Sequence, residues 1–165
     1  MPQLWLRIAA LLYGAGTLYA LIALLRRREI SGKVLAPLGA AGVLLHFVAV
    51  AETTLTGEFV PALSKQSESL LAFVLVLFFL AVYFIYKTAS HGLFVFPLAT
   101  LLTASAAVGH QQQAIGPSFM RSGWIYFHIA LIFAGYAALL FSFLSSIFYL
   151  LQERRLKSKD MGSGL

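Results

Sequence analysis

Cysteine is absent from the sequence. Disulfides, thiolate nucleophiles, thiolate metal sites and covalent attachment of a prosthetic group through a Cys-x-x-Cys-His motif are therefore excluded. Charge is scarce as well: 11% of the 165 residues are charged, against 60% hydrophobic. Soluble domains average about half apolar and about a quarter charged. The apolar excess is too large for one buried core and has to face lipid, and a chain near the length of one domain leaves little room for a soluble catalytic unit. There is no Walker loop, HExxH pair, GxSxG elbow or dinucleotide fingerprint. No nucleophile stands with a base, so the chain does not read as an enzyme.

Acidic residues number only six against twelve basic ones, giving a net charge of +6. Such a balance can signal nucleic acid. Here the basic residues sit in short clusters beside apolar runs, as membrane topology signals do, so the bilayer is the expected partner and nucleic acid is not.

What is present is a series of apolar runs. A spanning helix needs about 20 mostly apolar residues. Five segments answer that description, over residues 4–25, 34–51, 70–86, 92–108 and 124–151. The predicted fold class is all-α, a polytopic membrane bundle of five helices over residues 1–155 with a basic cytoplasmic tail over 156–165. The first run lacks a preceding basic region and a small-residue cleavage site, and reads as a retained helix rather than a signal peptide. Lys and Arg counts set the expected orientation. Arg26, Arg27, Arg28, Lys33, Lys87, Arg154, Arg155, Lys157 and Lys159 fall on one side, and Arg7, Lys65 and Arg121 on the other. An N-terminus outside and a C-terminus in the cytoplasm follow. The connections 52–69 and 109–123, each with Gly and Pro, then lie outside as a cap over the bundle.

Ionisable groups inside apolar runs are rare, so each is weighed as a functional candidate. At helical spacing Gly39, Gly42, His46 and Ala49 share one face, where small residues admit a neighbouring helix or a flat ligand. A packing seam with a neutral, hydrogen-bonded His46 is the plainer reading. His128 stands one turn into the fifth run, with Gly135 and Ser142 following on the same side. Counting about 1.5 Å per residue puts both imidazoles at similar depth in the outer half of the bilayer. Neutral imidazoles at matched depth can ligate a metal or the two faces of a haem iron. His110, beside Gln111, Gln112 and Gln113, reads as a solvated loop residue or a further ligand. His91 reads as interfacial, Glu52, Glu58 and Glu68 as solvated flanks, and Trp5, Trp124, Tyr126 and Tyr149 as interfacial anchors.

The stretch Tyr126-Phe127-His128-Ile129-Ala130 with Gly135-Tyr136, followed by Phe148-Tyr149-Leu150-Leu151-Gln152-Glu153-Arg154-Arg155, resembles the cytochrome c assembly transmembrane family, in particular its HemX-like branch. Leu44-Leu45-His46-Phe47, Glu68-Ser69-Leu70-Leu71 and Gly92-Leu93-Phe94-Val95-Phe96-Pro97 resemble other helices of that family, in order. The resemblance implies non-covalent haem binding or delivery in a bacterial plasma membrane, with His46 and His128 as axial-ligand candidates. It implies other cytochrome c assembly proteins as partners. The family's tryptophan-rich outer segment is missing, and members usually continue into further helices. The resemblance therefore implies an N-terminal portion of such a protein, either a truncated product or one half of a split protein. A structural or regulatory subunit without cofactor is the alternative. A small transporter is the third reading, weakened by the lack of intramembrane carboxylates and paired half-helices.

Overall fold

The computed structural model describes residues 2–56, 64–108 and 123–160. These residues form five α-helices: α1 (Pro2–Leu25), α2 (Gly32–Leu55), α3 (Ser64–Tyr86), α4 (Gly92–Val108) and α5 (Gly123–Asp160). Four of them are long and apolar enough to cross a membrane. α4 is equally apolar but has 17 residues, about 26 Å of helix at 1.5 Å per residue. The all-helical bundle of membrane-spanning helices expected from the apolar runs is what the chain forms.

The helices outrun their apolar runs. α2 continues to Leu55, α3 starts at Ser64 and α5 reaches Asp160, so parts of the expected loops and of the tail are helical. Side chains support these polar ends. Thr53 and Thr54 donate from their hydroxyls to carbonyls of Ala49 and Val50 at 3.0 and 2.7 Å. Near the end of α5, Lys157 pairs with Glu153 one turn earlier at 2.6 Å, a spacing that supports helices. Hydropathy marks where the lipid stops, and a helix need not stop there.

α1, α2, α3 and α4 close into a ring in which α1 packs on α2 and α4, and α3 packs on α2 and α4. α5 stands outside the ring against α3. Since lipid tails are as apolar as the core, close packing and small residues hold such a ring together. Two glycines show this directly. A Cβ at Gly42 would collide with the Tyr13 ring, and one at Gly16 with the Phe96 ring. Phe96 in turn sits edge-on to Tyr13 and to Phe79, at centroid distances of 6.4 and 5.3 Å, a favoured aromatic arrangement.

Two helix ends carry left-handed basic residues: Arg27 (φ 50) after α1 and Lys87 (φ 57) after α3. Glycine is the usual residue there, and a side chain costs roughly 1–2 kcal/mol. The hydrogen bonds Arg28 N–H to Ala23 O (2.9 Å) and Lys87 N–H to Tyr83 O (2.8 Å) close these ends. A cation at a helix C-terminus complements the helix dipole. The Lys87 ammonium also lies 5.9 and 5.6 Å from the Tyr83 and Phe84 rings, within cation–π range.

Candidate functional site

The face carrying Gly39, Gly42, His46 and Ala49 is buried along its length. Its occupants are side chains of the other ring helices. Tyr13 of α1 covers Gly42, and Phe96, Leu80 and Val76 lie within 3.4 Å of a Cβ built at Gly39. The seam is helix packing. The contacts at Gly39 also set the register of the ring: Gly39, Val76 and Phe96 share a level. Two turns onward on each helix, seven residues away, stand His46 on α2, Ser69 on α3 and Thr103 on α4.

His46 is 0% exposed and engaged through both ring nitrogens. Nε2 lies 2.8 Å from Ser69 Oγ, and Nδ1 lies 3.5 Å from the Tyr13 hydroxyl. The Phe73 ring packs edge-on at 5.5 Å. Each ring helix thus brings one polar group to this region of the core. Thr103 completes the set and is also fully buried, yet its hydroxyl has no hydrogen-bond partner among the described residues. In an apolar surrounding, every such bond is stronger and every missing one costlier. The layer is therefore a register pin for α1, α2 and α3: sliding one of them by a turn would strand buried polar groups.

His128 has the opposite environment. It is exposed one turn into α5, and Gly135, two turns on, has nothing within 4 Å of a built Cβ. Nothing in the described structure joins the two imidazoles. His46 is enclosed among α1, α2 and α3, while His128 faces outward on a helix that packs against α3. A haem between them does not fit this arrangement, because His46 offers neither a free Nε2 nor space beside it. His128 has the exposure a ligand needs.

His91, expected at the interface, is buried in the turn ahead of α4. Its Nε2 lies 2.9 Å from Ser145 Oγ of α5. Its ring stacks on Phe141 at 5.2 Å and meets Phe148 edge-on at 5.6 Å. Burial pushes its pKa down from the usual 6.5. Its Nδ1 has no partner among the described residues. This histidine ties α5 to the ring. Glu68, expected as a solvated flank, pairs with Lys65 at 3.4 Å, and Lys65 donates to Ser105 of α4 at 2.7 Å. His110, Glu58, Arg121 and the proposed cap over 109–122 lie outside the described residues.

Residues 63–163 match the cytochrome c assembly protein family. The chain belongs to that family. The matched stretch takes in α3, α4 and α5, and with them His91 and His128; His46 precedes it. No curated protein and no solved structure matches the chain. Its apolar spans and its family together make it an integral membrane protein with a role in cytochrome c biogenesis.

Sequence reasoning missed Tyr13, Ser69, Thr103 and Ser145. A signal was present for Tyr13, because interfacial tyrosines sit at the ends of spans and this one sits in the middle of α1. A mid-span tyrosine calls for a buried hydroxyl partner. Single Ser and Thr residues in an apolar helix give no periodic signal.

Proposed function

We propose that this chain handles haem non-covalently in support of cytochrome c assembly, in a bacterial plasma membrane and beside other assembly proteins or a separate C-terminal portion. His128 would supply the accessible axial nitrogen. His46, the other candidate ligand, would act by holding α2 in register with α1 and α3. The observation that carries this reading is an exposed imidazole on α5, inside an apolar span and within the residues that match the family. A polar side chain without a partner among the described residues is costly on an apolar helix in lipid, which makes it a functional candidate. The chain's part in this scheme is binding and orientation rather than catalysis. The test is absorbance of protein purified in detergent and titrated with haemin: a saturable Soret band near one equivalent is expected, and its absence would overturn the reading.

A second reading, a subunit that stabilises a partner without cofactor, draws support from the outward face of α5. Leu131, Tyr136, Leu139 and Phe143 are all more than half exposed there. Both readings share the proposed orientation. A reporter fused after Lys159 should signal cytoplasm, and one inserted in 109–122 the outside; a reversed pattern would overturn the orientation.

A further inference from the structure

Away from α5, a groove of about 740 Å³ runs between α1 and α4. That volume lies in the ligand-pocket range of roughly 300–1,000 Å³. Its floor is made of small residues, among them Ala10, Gly14, Ala15 and Ala104. The hydroxyl protons in the floor are committed: Thr17 donates to the Tyr13 carbonyl at 2.9 Å and Thr100 to the Phe96 carbonyl at 2.7 Å. The groove therefore offers no free hydroxyl proton along its length. Its polar feature is at one end, where Arg7 lines the mouth.

Arg7 is exposed and makes no ion pair among the described residues. A guanidinium inside a membrane span is expensive unless it reaches an anion or the interface, and its planar fork suits phosphate. Along α1 the groove extends from Arg7 to Leu18, about 16 Å at 1.5 Å per residue. That is about half of a hydrocarbon core roughly 30 Å thick, the depth of one leaflet. At Gly14 a built Cβ would meet only Thr100 Cγ2, at 3.7 Å, so the groove is open at mid-length.

We propose that the α1–α4 groove is a binding site for one phospholipid, its phosphate on Arg7 and one acyl chain lying along Ala10, Gly14 and Ala15. The site is separate from the ring core and from α5. It makes the lipid a resident ligand rather than an exchanging neighbour.

The experiment is native mass spectrometry of the full chain in detergent, titrated with palmitoyl-oleoyl phosphatidylglycerol. The wild type should retain one lipid preferentially. Arg7→Gln removes a charge-assisted bond and should weaken retention about tenfold. Ala15→Leu fills the groove from an exposed position and should weaken it several-fold with Arg7 intact. Lys33→Gln, a basic change remote from the groove, should leave retention unchanged. Equal retention in wild type, Arg7→Gln and Ala15→Leu would overturn the proposal. So would a wild-type spectrum dominated by lipid-free dimer that Ala15→Leu converts to monomer, which would assign the groove to a second copy.

Discussion

The ring and α5 are built from the same apolar alphabet and are used in opposite ways. In α2, 39% of the apolar span is buried inside the protein; in α5 the share is 17%. α2 spends its glycines and its histidine on contacts with its neighbours. α5 buries Ala137, Phe141 and Leu144 on one stripe and leaves His128, Gly135 and Ser142 outward. A histidine inside a membrane protein can thus serve as internal fastening or as a group offered outward. Which one it is depends on whether its nitrogens are already engaged.

The sharpest way to break this contrast is a matched pair of glycine substitutions. Gly42→Leu drives a side chain into Tyr13 and should cost about 3 kcal/mol or prevent folding, at or beyond the upper end of overpacking effects. Gly135→Leu meets nothing and should stay within about 0.5 kcal/mol. Unfolding in mixed detergent reads both, and equal losses would remove the distinction between ring and α5.

The histidines come next. His46→Ala leaves the Ser69 hydroxyl buried without its partner and should cost about 2 kcal/mol. His128→Ala removes an exposed side chain and should again stay within about 0.5 kcal/mol. A smaller loss for His46→Ala than for His128→Ala, in the same unfolding assay, would contradict the register-pin role.

A smaller effect, about 1 kcal/mol, is expected where the two regions meet. His91 holds α5 as a neutral ring, its pKa lowered by burial. Undocked, it would take a proton near the ordinary 6.5. Between the two pKa values the undocked state binds more protons, so docking of α5 strengthens as pH rises and weakens as it falls below about 6.5. Spin labels at Tyr86→Cys and Tyr149→Cys, both exposed and introduced into a chain without other cysteines, would measure the separation. It should broaden in acid, and the broadening should be much reduced in Ser145→Ala, whose α5 is already looser at neutral pH. An acid-independent separation would remove His91 as the tie.

These comparisons also mark how far the sequence could be read. Five helices were legible because length and apolarity alone define a span. The inward face of α2 was legible because Gly39, Gly42, His46 and Ala49 repeat at helical spacing. The inward stripe of α5 was not, since its outward side chains are as apolar as its buried ones. Depth counting put His46 and His128 at one level, yet depth carries no information about azimuth. The family motif lay in α5, and nothing in the one-dimensional pattern foretold that Ser69 would occupy the His46 nitrogen.

The central claim is that α5 presents the ligand and the ring supports it. Haemin titration of wild type, His128→Ala and His46→Ala, followed at the Soret band in one detergent with folded protein quantified in each sample, tests it most directly. The account predicts that His128→Ala loses at least about tenfold in affinity (about 1.4 kcal/mol) and changes the band. His46→Ala, per folded molecule, should retain both affinity and spectrum. Unchanged binding in His128→Ala, or loss confined to folded His46→Ala, would contradict it.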